Sequence, residues 1–388
     1  MKRIYILKNL RPWMVNELMA FSYFTGFKLV ILRKPSEPFT EQLHDLQKNG
    51  VEIHIRPFLV FPSLKRICFS VWFIFKYLPC FIGLKNLIFG IKSVYWFIRL
   101  KEDTIPNNCL IHAQFATQAG IIAMMYKHFF TNCDYHFTFH AHDIYYKNRW
   151  FSRLLNNSSC AFSISEYNIQ YVIEKYGSKP EKISLSRLGV FQPEPFEIPK
   201  QKRKPFTIGF LSWWDKKKGL ILLLQSFKQL VTEHNLPVYL LLAGDGPMRS
   251  QTLNYIKKNN LHEHVKVMGW IFGAEKEQFF KSIDLFVLPS VAVKNDMDGI
   301  PVVLMEAIWY GIPVVSTSIS GIPELCKNKY NGFLIPSGNI EALTRAMLDF
   351  YTMDNSMFSV FRHNAMKTSK KFDIIYNSQK KLEAMEWI

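Results

Sequence analysis

Short apolar runs alternate with segments of helical spacing along the whole chain. Residues 3–7, 28–32 and 51–55 are brief, mostly apolar runs, and residues 15–24 between the first two carry helical spacing. Apolar runs at 109–112 and 135–139 end in polar residues, and 161–163 leads into a helical segment at 166–175. Runs this short, bounded by polar and turn residues, predict strands. Residues 193–205 are then Pro-rich and basic and read as a linker. A second set follows, with strands at 206–211, 238–243, 265–268, 285–288 and 313–316 and helices at 220–231, 276–282 and 340–351. A terminal helix is predicted over 372–387. Strands alternating with helices predict parallel sheets covered on both faces, with ligand sites beyond the carboxyl ends of the strands. The pattern is that of two doubly wound α/β domains.

The length of 388 residues and a hydrophobic fraction of 48% suit two globular domains and exclude a largely disordered chain. Six cysteines without a C-x-x-C pair argue against a zinc ribbon or a disulfide framework and for a reducing compartment. The apolar start of the chain is too short for a signal peptide and reads as a first strand.

The formal net charge of +17 calls for an anionic partner. No nucleic-acid-binding motif is present, so no nucleic-acid partner is expected. Between Ile53 and Lys101 there is no Asp or Glu. That stretch carries the aromatic runs 58–61, 67–75, 77–84 and 94–98, punctuated by Lys65, Arg66, Lys76, Lys85, Lys92, Arg99 and Lys101. No uncharged run reaches the ~18–20 residues of a membrane-spanning helix. A basic, Trp- and Phe-rich stretch over 56–101 fits helices lying on an anionic membrane surface. The alternative is a set of core helices with a solvated basic edge.

Four clusters could carry chemistry. The first is Asp298-Gly-Ile-Pro-Val-Val-Leu-Met-Glu306, followed by Ala307-Ile-Trp-Tyr-Gly311-Ile-Pro-Val-Val315 and Ser320-Gly-Ile-Pro-Glu-Leu325. With Pro301 at the first helical position, the turn Gly299-Ile300-Pro301-Val302 aims free N–H groups and a positive helix end at an anion such as phosphate. Glu306 lies one to two turns further along. The plainer reading is a capped βα turn with a surface Glu. The second cluster is Ser212-Trp213-Trp-Asp-Lys-Lys-Lys218-Gly219, where Lys218 precedes a Gly that opens a helix and could reach phosphate; a solvated basic turn is the alternative. The third, Gly244-Asp-Gly246-Pro247, is a ligand loop or a simple turn. The fourth is His140-Ala-His142-Asp143. Two histidines and an Asp could ligate a metal, but no third ligand is evident.

These motifs together resemble the donor site of the retaining glycosyltransferases of family 4, and among them the colanic acid and exopolysaccharide type of bacterial enzyme. That family places a Glu-x7-Glu pair where Asp298 and Glu306 stand, followed by Gly-x-Pro-Val-Val and Gly-x-Pro-Glu. The resemblance implies a GT-B fold, with two Rossmann-like domains, a cleft between them and a C-terminal crossover helix. The implied division is 1–198 for acceptor binding, 204–365 for the nucleotide sugar, and 366–388 for the helix returning to the first domain.

By position the resemblance gives donor-binding roles to Lys218, Gly244, Gly246 and the 299–302 turn. It gives sugar and ribose contacts to Asp298 and Glu306, and a sugar- or nucleophile-positioning hydrogen bond to His140. Trp213 stands where the family carries an Arg of the diphosphate clamp; an indole could stack on a base or sugar, and Lys216 or Lys217 could supply the charge. Arg11, His142, Asp143 and Arg187 are acceptor-side candidates, with His142 and Asp143 orienting their loop. The implied activity is transfer of a sugar, with retention, from a nucleotide sugar to a hydroxyl of a cell-surface polysaccharide or lipid-linked glycan. No cofactor and no required metal are expected, and the implied location is the inner face of the cytoplasmic membrane. A sugar-nucleotide epimerase, a phosphorylase or a non-catalytic glycan-binding relative are the alternatives.

Overall fold

A computed structural model describes residues 1–35, 39–55, 63–101, 104–197, 199, 201–294 and 296–388. The apolar run 58–61 and the expected boundary residue 198 lie outside the described residues. The chain forms two compact units, Met1–Gly189 with Ile374–Ile388, and Val190–Asp373. The first border falls before the Pro-rich segment rather than within it, and the last 15 residues, rather than the last 23, return to the first unit.

The first unit holds seven parallel strands in the order β3-β2-β1-β4-β5-β6-β7. They are β1 (Lys2–Leu7), β2 (Lys28–Ile31), β3 (Glu52–Ile55), β4 (Asn108–Gln114), β5 (Asn132–Phe139), β6 (Cys160–Ser163) and β7 (Ile183–Leu185). Ile4–Leu7 and Leu29–Ile31 are fully buried, because a parallel sheet is covered on both faces and its strands read as continuous apolar runs. Helix α1 (Pro12–Ser22) starts at a proline, as a first turn permits.

The basic aromatic stretch folds as two helices, α2 being Thr40–Lys48 before them. Helix α3 (Leu64–Lys76) and helix α4 (Leu84–Arg99) are joined by a 3₁₀ turn at Leu78–Phe81. Ser63 caps α3. Each helix buries one stripe, Arg66, Ser70 and Phe73 on α3 and Gly90, Ser93, Val94 and Phe97 on α4. The other face leaves Leu64, Trp72, Phe75, Leu84, Ile91 and Tyr95 exposed. Among the described residues no helix is long and apolar enough to cross a membrane.

After α5 (Gln118–Phe129), the turn α6 (Ala141–Ile144), α7 (Phe151–Asn157) and α8 (Glu166–Tyr176) complete this part. The second unit holds six parallel strands in the order β10-β9-β8-β11-β12-β13. These are β8 (Phe206–Trp213), β9 (Val238–Asp245), β10 (Val265–Gly269), β11 (Leu285–Leu288), β12 (Val314–Thr317) and β13 (Gly332–Ile335). Helices α9 (Leu220–Thr232), α10 (Arg249–Lys258), α11 (Gly273–Ser282), α12 (Val302–Trp309), α13 (Ile322–Leu325), α14 (Ile340–Thr352) and α15 (Asn355–Ser369) alternate with them.

Strands β7 and β13 and helices α2, α5, α7, α10 and α15 are among the elements with no counterpart in the sequence reading. Pro301 is the residue capping α12, with extended φ and ψ, and not its first helical residue. The helix closes on Gly311, with Gly311 N–H on Ile308 O and Ile312 N–H on Ala307 O, both at 3.1 Å. The last helix, α16 (Ile374–Ala384), packs in the first unit and carries Leu382, Met385 and Trp387 into the core of Tyr5, Phe21 and Phe27.

Candidate active site

In the second unit the chemistry gathers at the carboxyl ends of β8 and β11. Asp215 caps a 3₁₀ turn over Lys216–Lys218, accepting the Lys217 N–H at 3.1 Å. Val291 N–H binds Lys217 O at 2.8 Å and ties the turn to the loop after β11. Gly219 follows at φ +68, and a Cβ there would lie 2.0 Å from the Pro289 carbonyl oxygen. Only glycine satisfies both demands, so the turn is fixed where Lys218 leaves it.

Lys218 Nζ lies 2.8 Å from Asp298 Oδ1, and Lys217 Nζ is 3.7 Å from the same oxygen and 3.1 Å from Asp296 Oδ2. Ser290 Oγ donates to Asp298 Oδ2 at 2.7 Å. Asp298 is buried at 7% exposure. Burial alone would raise its pKa; Lys218, Lys217 and the Ser290 hydroxyl outweigh it and hold the carboxyl below its ordinary value. The 299–302 turn leads straight into α12, whose first N–H groups have no helical partner, as at any helix start. Two ammonium groups thus converge on one carboxylate, four residues before α12. Lys217 is the second cation beside Asp298.

Trp213 is 51% exposed and stacks on Trp270, with centroids 5.9 Å apart and planes at 17°. Phe272 continues the stack on Trp270 at 6.2 Å. Gly244 and Gly246 wrap the buried Trp214: its N–H donates to Asp245 O at 2.7 Å, and it accepts the Met248 N–H at 2.9 Å. A Cβ on Gly244 would lie 1.8 Å from the Ser212 carbonyl oxygen, at φ +107. This glycine is demanded by the packing of two strand ends. Glu306, one turn into α12, pairs through Oε1 with Lys276 Nζ at 2.5 Å.

In the first unit His140 follows β5 and caps α6. Its backbone N–H donates to Asp143 Oδ2 at 2.9 Å, and its carbonyl oxygen accepts the Asp143 N–H at 2.8 Å. The ring lies between Trp13 and Phe115, at centroid distances of 4.8 and 4.6 Å. Phe115 holds φ at +79, an uncommon conformation for a residue with a side chain. Nε2 of His140 is 2.9 Å from the Gln114 amide. Burial, with a contribution from Lys381, lowers its pKa to about 3, so the ring is neutral. Asp143 is fully buried, and burial raises its carboxyl to about 7 against the pull of the His140 and Ala116 N–H groups.

His142 is exposed beside Tyr146. Arg187 pairs with Glu166 at 2.8 Å. Arg11 is exposed at the start of α1; its charge, with those of Arg33 and Lys92, adds to burial in lowering the pKa of Lys8. Among the described residues no group of three or more His, Cys, Asp or Glu side chains is placed to hold a metal. Sequence reasoning missed Lys276, Ser290, Gln114 and Trp270. Only Ser290, next to a proline at a strand end, gave any local signal.

Two Rossmann-like parallel sheets, with a cationic carboxylate-bearing turn at the strand ends of the second, define a GT-B protein. Residues 191–371 match the family described as glycosyl transferases group 1. WcaL of Escherichia coli (strain K12), named as a colanic acid biosynthesis glycosyltransferase, is 35% identical over 187 residues, covering 47% of this chain and 45% of WcaL. The amylovoran biosynthesis glycosyltransferase AmsK of Erwinia amylovora is 34% identical over 182 residues, covering 46% of this chain and 44% of AmsK. The chain thus spans about half the length of the curated relatives it matches. In fold it is similar over 100% of both chains to Alr3699/HepE of Anabaena in complex with UDP, with a TM-score of 0.71 at 17% identity.

Proposed function

We propose that this protein is a retaining glycosyltransferase that moves a sugar from a nucleotide-sugar donor to a hydroxyl of a cell-surface polysaccharide or lipid-linked glycan. The convergence of Lys217 and Lys218 on Asp298 at the start of α12 carries this reading. When the donor binds, its diphosphate replaces Asp298 as partner of the two lysines and takes the α12 N–H groups as well. These donors then stabilise the charge that grows on the leaving phosphate. Asp298, freed from Lys218, binds donor-sugar hydroxyls; Glu306 exchanges Lys276 for the ribose; His140 positions the sugar. Two ammonium groups do the work of a metal ion, and both carboxylates of Asp296-Met-Asp298 already face lysines. The polysaccharide names of WcaL and AmsK support the acceptor class, and the UDP bound to HepE supports a nucleoside diphosphate donor.

The test is a thermal-shift panel of nucleotide sugars with and without EDTA, followed by a transfer assay. One nucleotide class raising the melting temperature, unchanged by EDTA, is expected. Glu306→Ala is expected to fold and lose turnover; normal turnover in that variant would remove Glu306 from the donor site.

The acceptor reading extends to the α3–α4 pair. Its exposed aromatic and aliphatic residues, with Lys76, Lys85 and Lys92 and no carboxylate, suit an anionic bilayer surface. Replacing the three lysines by glutamine should weaken binding to phosphatidylglycerol vesicles roughly a hundredfold at low salt, at about 1 kcal/mol per lysine. Unchanged binding would reduce the pair to a core element with a basic edge.

A further inference from the structure

A buried chain of polar groups in the first unit ends at His140. Lys381 Nζ lies 2.6 Å from Glu17 Oε1, and Tyr5 Oη lies 2.6 Å from Glu17 Oε2. The same Oη is 2.8 Å from Gln114 Oε1, and Gln114 Nε2 is 2.9 Å from His140 Nε2. All five residues are buried.

Proton counting fixes the direction of each bond. Glu17, paired with an ammonium, is a carboxylate and only accepts. Burial and that carboxylate raise the Tyr5 pKa, so the phenol keeps its single proton and gives it to Glu17. The Tyr5 oxygen must then accept from Gln114, so the amide, whose O and N ends are told apart only by their bonds, is turned end for end, with its NH2 on Tyr5 and its oxygen on His140. An amide oxygen only accepts. The neutral imidazole, with one ring proton, must therefore carry it on Nε2.

We propose that Gln114 is a positioning residue that holds His140 as the Nε2–H tautomer with Nδ1 as its acceptor, and that Tyr5, Glu17 and Lys381 of the last helix set the orientation of Gln114. Its catalytic consequence rests on the reading of His140 as a sugar-positioning residue; the tautomer does not. The ring then offers a substrate hydroxyl an acceptor at Nδ1.

The decisive measurement is ¹⁵N NMR of histidine-labelled protein at pH 7 without substrate. His140 is expected to show a protonated Nε2 and a bare Nδ1; a proton on Nδ1 overturns the assignment. Gln114→Glu, whose carboxylate only accepts, should keep the tautomer, whereas Gln114→Leu should lose it. In a transfer assay Gln114→Leu should lower kcat about tenfold to a hundredfold, the cost of a misplaced catalytic-site group. Wild-type kcat and donor KM in a folded Gln114→Leu enzyme would overturn the positioning role. An inactive wild type with the expected tautomer would count against the transferase reading alone.

Discussion

Asp298 and Asp143 are both buried, and their carboxyls are pushed in opposite directions. Lys217 and Lys218 hold Asp298 ionised. Its folded pKa is depressed, so its stabilising contribution is present above the unfolded value of ~3.9 and is lost as pH falls through the folded value. Among the described residues no cation shifts Asp143, and burial raises it to about 7. The folded state there keeps a proton that the unfolded chain releases near ~3.9, so stability declines as pH rises from about 4 to 7. Asp143→Asn removes that decline while keeping an oxygen for the His140 N–H. Its melting temperature is expected to match wild type near pH 4.5 and to exceed it at pH 8 by at least ~2–4 °C, about 1 kcal/mol. Parallel curves for the two proteins from pH 4.5 to 8 would refute the buried, proton-holding Asp143. The legible site residues follow from the same locality. Asp298, Glu306 and Lys218 stand in motifs a few residues long. Gln114 and Lys276 act through partners 26 and 30 residues away, and nothing in a linear pattern marks such a pair.

At the scale of elements, the turn between β8 and α9 shows how backbone geometry places charge. Gly219 combines a left-handed φ with a backbone contact that leaves no room for a Cβ. Gly219→Ala is expected to destabilise the protein by about 1–3 kcal/mol, the cost of one residue in a sparsely populated conformation, or more if the Pro289 contact cannot relax. It should also weaken donor binding, because Lys218 precedes it directly. Calorimetry and donor titration check this together, and wild-type values in both would show that the turn tolerates a side chain. The strands were readable because fully buried parallel strands are short apolar runs. Helix α15 was not, since its polar residues and its position after α14 give no break in composition. The two-helix folding of the basic aromatic stretch was readable only as a bias, because exposed aromatics blur the amphipathic stripe.

At the scale of the molecule, the two chain ends meet inside one unit. Lys381 and Glu17 are 364 residues apart in sequence and 2.6 Å apart in space, at 1% and 5% side-chain exposure. Helical periodicity announces α16 but not its partner; the return of the helix came from resemblance, and the ion pair from no sequence signal. Burial draws the Lys381 ammonium down, and Glu17 only partly offsets it. Such a pair adds little net stability, yet losing one partner strands a charge. Lys381→Met is therefore expected to cost about 3–5 kcal/mol, and Glu17→Leu a comparable amount by stranding the lysine. The double variant should recover most of that loss, because two apolar side chains of similar volume replace a pair that nearly breaks even. Urea denaturation of the four proteins gives the coupling energy. Additive losses would mean that each charge is solvated on its own and that the last helix is held by Leu382, Met385 and Trp387 alone. A strong coupling would make the pair the specific link between α16 and α1, and Tyr5, bonded to the same carboxylate, would carry that link to the sheet.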